Sequence, residues 1–334
     1  MASEDSRAKA IVDWLENGLR MPIERIEPAS SDASFRRYFR VSQGQRQFIV
    51  MDAPADKENL PAFIKVAKLF AWARINVPDI YRQNLTHGFL LLQDFGNLCF
   101  LDALHADSAS GLYRSALDSL FRLQYSIDID SCGLPAYDEA LLARELGIFQ
   151  EWYLQKYARI TLTQSERQII ADTWSFLQVS ALQQPRVCVH RDYHSRNLMV
   201  TAENPPGVLD FQDAVIGPVT YDLVSLLRDC YIAWPEHQVD SWMLDYYQRL
   251  RNQGIVSCSA DQFRLWFDLM GMQRHLKAVG IFARLYLRDA KPDYLDDIPR
   301  TMQYVKQVCS RYVELSDFLQ LLHSHRLPIQ YIDR

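Results

Sequence analysis

The chain has no apolar run approaching the ~20 residues needed to cross a bilayer, so no membrane span is expected. Its first residues, M-A-S-E-D-S-R, lack the basic start and apolar stretch of a secretory signal, and a cytoplasmic location is the corresponding expectation. There is no excess of basic charge: 36 Lys and Arg face 41 Asp and Glu, a net charge of −5. This balance argues against a nucleic-acid binder with a general basic footprint. None of the six cysteines (Cys99, Cys132, Cys188, Cys230, Cys258 and Cys309) forms a C-x-x-C pair, as suits reduced, mostly buried thiols. His323 and His325 in H-S-H have no further ligands near them and make a poor metal site. No internal repeat, low-complexity tract or sign of an obligate protein partner is present. What remains is ordinary core material, 49% apolar and 23% charged over 334 residues, enough for about two domains.

The pattern changes once along the chain. Arg7 to Leu19 is amphipathic, with Ile11, Trp14, Leu15 and Leu19 on one side. Ile23–Ile26, Phe35–Val41 and Gln47–Met51 read as strands, with turns at Ser30–Ser34 and Gln43–Gln45. Asn59 to Ile75 reads as a helix with Pro61 near its start and an apolar stripe of Phe63, Val66, Ala67 and Phe70. Asp79–Arg82 and Phe89–Gln93 complete a small sheet lobe, residues 1–93. Asp94-Phe95-Gly96-Asn97 breaks the pattern and is read as a hinge. Residues 94–334 are mainly helical, over Tyr113–Tyr125, Glu139–Tyr157, Glu166–Val179, Tyr221–Tyr231, Val239–Arg251 and Gln262–Leu287. Thr163 with Glu166, and Ser259 with Gln262, have the spacing of capping boxes. Trp152, Tyr153, Trp174, Trp242, Tyr246 and Trp266 sit at helical spacing and are expected in the core.

One stretch carries chemistry. After the apolar run Arg186–Val189 come His190, Arg191, Asp192 and Asn197, spaced H-R-D-x-x-x-x-N. Two further short apolar runs, Leu198–Thr201 and Val208-Leu209, flank the turn Pro205-Pro206-Gly207 and lead into Asp210-Phe211. A hydroxyl nucleophile needs a carboxylate to orient it and take its proton, which suits Asp192. Mg²⁺ bridging nucleotide phosphates needs hard oxygen ligands, which suits Asn197 and Asp210. The order is that of protein-kinase-like phosphotransferases. The earlier D-F-G at Asp94–Gly96 matches the kinase metal tripeptide, but it precedes H-R-D instead of following it.

These residues resemble the aminoglycoside phosphotransferase and choline kinase superfamily of small-molecule kinases. His194 completes H-x-D-x-H-x-x-N, the form typical of that superfamily, and D-F-Q-D-A-x-x-G-P-V-T-Y-D-L from Asp210 to Leu223 extends the match. The resemblance implies an α+β, protein-kinase-like bilobal fold with a nucleotide-binding lobe at 1–93 and a catalytic and substrate-binding lobe at 94–334. It implies ATP and Mg²⁺ as cofactors, His190, Arg191 and His194 as loop support, and Asp222 bracing the loop from the following helix. Nucleotide contacts are expected from Ser30, Ser31, Asp32, Ser34, Arg37, Gln93 and Asp94. A narrower likeness, in S-S-D-A-S-F-R-R-Y-F-R-V, F-I-V-M-D-A-P, L-A-R-E-L and Q-R-H-L-K-A-V-G-I-F-A-R-L, is to the bacterial anomeric sugar kinases of cell-wall recycling. It implies phosphorylation of the anomeric hydroxyl of N-acetylmuramate and N-acetylglucosamine, giving sugar 1-phosphates for peptidoglycan recycling. Alternatives are another small hydroxyl or amino-alcohol acceptor, or a regulatory pseudokinase.

Two absences depart from the kinase pattern. The Ser30–Ser34 segment has no glycine; its small residues suit either phosphate approach or a plain hairpin turn. Met51 stands where kinases place the phosphate-binding lysine, which leaves Glu58 without its usual partner and makes Arg36, Arg37 and Arg40 candidate replacements. On the acceptor side, Arg274, Lys277, Arg284 and Arg288 fall within a narrow arc of one helix, with His275 adjacent. Such a stripe either meets an anionic substrate or is a solvated face. Arg144 and Glu145 either contact a sugar carboxylate and hydroxyls or form an intrahelical pair.

Overall fold

The computed structural model describes residues 5–31, 36–54 and 57–327, without the side chains of Ser30 and Ser31. The chain divides into two compact units, Met1–Ala103 with Leu198–Asp213, and Leu104–Asn197 with Ala214–Arg334.

The first unit opens with α1 (Ser6–Asp13), capped by the Asp5 carboxylate and continued by a wider π turn over Trp14–Gly18. Strands β1 (Arg25–Ser31), β2 (Arg37–Gln43) and β3 (Arg46–Asp52) follow, then α2 (Leu60–Trp72), β4 (Ile80–Asn84) and β5 (Phe89–Gln93). The sheet is antiparallel in the order β1-β2-β3-β5-β4. Alternation sorts its side chains. Val41, Val50, Phe89 and Leu91 pack on Ile11, Trp14 and Leu15, while Met51 lies one step out of phase and is fully buried. β1 runs past its expected end at Ile26. A bulge between Pro28 and Ser30 restores pairing, so Ser30 and Ser31 pair with Tyr38 and Arg37 as strand residues and not as a turn. Asn59 caps α2 by accepting the Ala62 N–H, and Pro61 occupies its first turn. A short helix, α3 (Phe100–Ala103), ends this part of the unit.

The second unit contains α4 (Ala106–Ser126), α5 (Glu139–Ile148), α6 (Gln164–Leu182) and β6 (Arg186–Val189). The chain then contributes β7 (Leu198–Met199) and β8 (Gly207–Val208) to the first unit. It continues with β9 (Val215–Pro218), α7 (Tyr221–Leu227), α8 (Glu236–Asn252), α9 (Ala260–Asp289), α10 (Ile298–Arg311) and α11 (Ser316–Ser324). The expected single helix Glu139–Tyr157 changes at Phe149 into a π turn that reaches Tyr157. Its start is where α9 passes closest: a Cβ at Gly280 would lie 2.6 Å from the Ile148 carbonyl carbon. Glycine at this position lets the two backbones approach. The Thr163–Glu166 capping box forms in full, while Ser259 accepts from the Gln262 N–H alone. Tyr153, Tyr246 and Trp266 are buried, and Trp242 stacks on Tyr113 with centroids 4.4 Å apart. No helix among the described residues is long and apolar enough to cross a membrane.

Candidate active site

β6 delivers the chain to His190, and the loop from there to Asn197 is held at several points. Arg191 adopts φ +80°, a conformation that side chains bearing a Cβ seldom take. Asp222, on the first turn of α7, accepts the backbone N–H groups of His190 at 2.6 Å and Arg191 at 3.0 Å. Burial pushes the Asp222 pKa up to about 7, against the pull of those two N–H groups and of Arg274. Asp229, which the sequence did not single out, takes the N–H and hydroxyl of Ser195 at 2.9 and 2.5 Å. The Asp192 N–H donates to Nδ1 of His190 at 3.2 Å, and the Asn197 side-chain amide donates to the Asp192 carbonyl at 2.9 Å. The backbone of Asp192 is thereby fixed on both sides.

Its carboxylate lines a cavity with His194, Tyr231, Arg274, Lys277 and Phe282. Burial would raise the Asp192 pKa. The charges of Lys277, Arg274 and Arg191 outweigh it and hold the carboxyl at about 2. Arg274 is 8% exposed, lies over the Tyr221 ring at 5.3 Å, and has no carboxylate within ion-pair distance among the described residues. Lys277 reaches Glu145 at 3.0 Å and the Tyr221 hydroxyl at 3.1 Å. Burial lowers the His194 pKa, favouring the neutral ring.

Several expected acceptor contacts fall elsewhere. Glu145 is buried. One of its oxygens takes Arg191 at 2.6 Å and Lys277; the other takes Gln273 at 3.1 Å and the Tyr137 hydroxyl. Its lone pairs are occupied by the protein, so it anchors the loop instead of meeting sugar hydroxyls. Arg144, its sequence neighbour, points out as an exposed side chain and does not pair with it. His275 is turned away from Arg274 by the helical rotation. It is buried, donates from Nε2 to the Arg228 carbonyl at 2.8 Å and stacks on Tyr304, and burial drives its pKa down to about 3. Arg284 is half-buried and outside the cavity wall, and Arg288 pairs with Asp289. The basic stripe therefore divides: its N-terminal members Arg274 and Lys277 face Asp192, and the others do not.

In the first unit, Asp210 follows β8 with φ +60°, and Phe211 behind it packs on Phe63 and Phe70 of α2. One Asp210 oxygen receives the Gln212 amide at 2.8 Å and lies 3.4 Å from Arg36. Arg36 also lies 3.7 Å from Glu58. Arg37, expected at the nucleotide, is engaged instead by the buried Asp52 at 2.5–2.9 Å and by Asp5. Arg40 grips Asp94 at 2.5 and 2.9 Å. Gln93 ends β5, and with Asp94 it borders an open groove shared with Asn76, Asp79 and Thr201. Gly96 takes φ +82°, so D-F-G forms a loop after β5. The candidates Asp32 and Ser34 lie outside the described residues, as do the side chains of Ser30 and Ser31. No cluster of three or more His, Cys, Asp or Glu side chains forms a metal cage among the described residues.

Comparison with known proteins adds independent findings. The model of the phosphotransferase enzyme family matches residues 25–257. A protein of Pseudomonas putida named N-acetylmuramate/N-acetylglucosamine kinase is 43% identical, over 96% of this chain and 97% of its own length. A protein of the same name from Pseudomonas aeruginosa is 45% identical, over 96% and 98%. Among solved structures, choline kinase from Streptococcus pneumoniae superposes with TM-score 0.64 at 12% identity, covering 91% of this chain and 100% of its own. An aminoglycoside phosphotransferase bound to streptomycin and ATP gives TM-score 0.59 at 14% identity, covering 91% and 97%. At these identities the two structures speak for the fold, the α+β kinase-like architecture expected from the sequence.

Proposed function

Because the chain belongs to the phosphotransferase enzyme family, we propose that it is an ATP-dependent kinase of amino sugars, with N-acetylmuramate and N-acetylglucosamine as acceptors. The phosphoryl group goes to the anomeric hydroxyl, and the sugar 1-phosphates serve peptidoglycan recycling in the cytoplasm. The observation that carries the acceptor class is Arg274: a buried guanidinium beside Asp192, with no carboxylate in ion-pair distance among the described residues. A lactyl carboxylate would supply the missing anion. With Lys277 in the same wall, the cavity disfavours cationic acceptors such as choline or an aminoglycoside.

Asp192 orients the acceptor hydroxyl and takes its proton as the new O–P bond forms and the bond to the ADP leaving group breaks. With its carboxyl at about 2, Asp192 is a weak base. That strength suits an anomeric hydroxyl, which is more acidic than an ordinary alcohol, and a late proton transfer. Glu145 offsets part of the charge of Arg191 and Lys277, and the cavity stays electropositive. Mg²⁺ keeps several waters and takes few protein ligands. Asn197, whose amide N–H is already committed to the Asp192 carbonyl, and the Asp210 carboxylate are hard oxygen donors of the required kind. When bound, the metal offsets charge on the transferring phosphoryl group.

The test is an acceptor panel with ATP and Mg²⁺, the product read by ³¹P NMR. Phosphate on the anomeric oxygen of both sugars is expected. ATP turnover that no sugar stimulates, or phosphate on a different hydroxyl, refutes the assignment.

A further inference from the structure

We infer that Arg36 supplies the nucleotide-phosphate cation that β3 lacks at Met51, an inference that rests on the phosphotransferase reading. Met51 is fully buried and its thioether carries no charge. The four lysines of the first unit, Lys9, Lys57, Lys65 and Lys68, lie on or just before the helices and none is on the sheet. No lysine lies on the sheet to take its place, which directs attention to the arginines at β2.

Three arginines lie on β2 or just before it, and they have different neighbours. Arg37 is held at 2.5–2.9 Å by Asp52, and Arg40 at 2.5–2.9 Å by Asp94. Arg37 places two donors on one Asp52 oxygen and Arg40 binds both oxygens of Asp94, so each guanidinium is tied to a carboxylate of its own unit. Arg36 is nearly buried, and its contacts include Glu58 at 3.7 Å and Asp210 at 3.4 Å. It thus stands between the acid that precedes α2 and the acid assigned to the metal, the position in which a kinase ion pair places its cation.

The scaffold around it is firm. Phe211 fixes the Asp210 turn on Phe63 and Phe70 of α2, while Asn59, next to Glu58, caps that helix. The left-handed backbone at Asp210 is the kind of local strain that persists where the surroundings impose it. Arginine is always charged and presents five N–H donors in a planar fork. With five donors, one guanidinium can serve Glu58, Asp210 and phosphate oxygens together.

The test is calorimetric binding of ADP and of adenosine, each with Mg²⁺, to the wild-type chain and to Arg36→Met and Arg36→Lys. The methionine variant should weaken ADP binding about ten- to a hundredfold, with adenosine affinity unchanged. The lysine variant should fall between, because it restores charge without the fork. Unchanged ADP affinity in Arg36→Met overturns the inference, as does an equal loss for ADP and adenosine, which marks a general structural role. If Arg36→Met does not fold, a selective ADP loss in Arg36→Lys with adenosine affinity unchanged supports the inference, and unchanged ADP affinity or equal losses for both ligands overturn it. A wild-type chain that binds no ADP would instead defeat the phosphotransferase reading itself.

Discussion

Glu145→Gln removes one negative charge from beneath two cations and preserves side-chain volume. In the folded chain, burial pushes the Glu145 pKa up, while Lys277, Arg191 and the Tyr137 hydroxyl pull it down further, to about 2 from 4.5. By linkage, that displacement corresponds to roughly 3 kcal/mol of stability at neutral pH. Removing one partner of a buried ion pair typically costs about 3–5 kcal/mol, so the two estimates agree. The sign follows from the depressed folded value. The contribution is fully present above about 4.5 and is lost as pH falls towards about 2. Urea unfolding followed by tryptophan fluorescence should therefore show the variant about 3–5 kcal/mol less stable at pH 7, with the gap closing below pH ~4.5. Trp152, Trp174, Trp234, Trp242 and Trp266 all lie in the second unit, so the signal reports chiefly on the part that contains Glu145. A loss under ~1 kcal/mol at neutral pH, or a gap that persists at low pH, would show that Arg191 and Lys277 do not depend on this carboxylate.

Asp192→Asn should lower kcat by about a hundred- to ten-thousandfold and leave ADP affinity within about twofold, measured by steady-state kinetics and calorimetry. Near-normal turnover would remove Asp192 from the proton-transfer role. Arg274→Ala should reduce kcat/KM for N-acetylmuramate about ten- to a hundredfold more than for N-acetylglucosamine, because the two sugars differ by the lactyl carboxylate. Equal losses for both sugars would assign Arg274 to electrostatic support of Asp192 alone. Asp210→Ala should raise the Mg²⁺ concentration for half-maximal rate by about tenfold or more, and an unchanged Mg²⁺ titration would place the metal on other ligands.

Local chemistry made much of the chain legible. The Thr163 cap, the Pro61 start of α2 and the strand over Gln47–Met51 are short-range signals, and each appears where the spacing predicts it. β9 escaped because V-I-G-P is too short to assert a strand without β6, its pairing partner. α10 and α11 were not read from the sequence, although the apolar residues of α10 (Ile298, Met302, Val305 and Cys309) recur at helical spacing. The end of β1 was misplaced because Ser30 and Ser31 carry turn chemistry, whereas the bulge after Pro28 that keeps them in the strand depends on β2.

The site divided along the same line. H-R-D-x-x-x-x-N located the loop because its residues are close in sequence. The charges that tune it are remote: Glu145 meets Arg191 across 46 positions and Gln273 across 128. Adjacency in sequence grouped Glu145 with Arg144 and His275 with Arg274, and in both cases the neighbour faces another way. Arg274 and Lys277 are three residues apart and share one face of α9, where they bear on Asp192 together. A carboxylate surrounded by so many cations is kept ionised and weakly basic. An acceptor whose own hydroxyl is acidic, and whose own carboxylate can meet Arg274, makes the smallest demand on such a base. On the proposed reading, N-acetylmuramate fits the cavity on two separate grounds, acidity at the reacting oxygen and charge at the lactyl group, and only the second distinguishes it from N-acetylglucosamine.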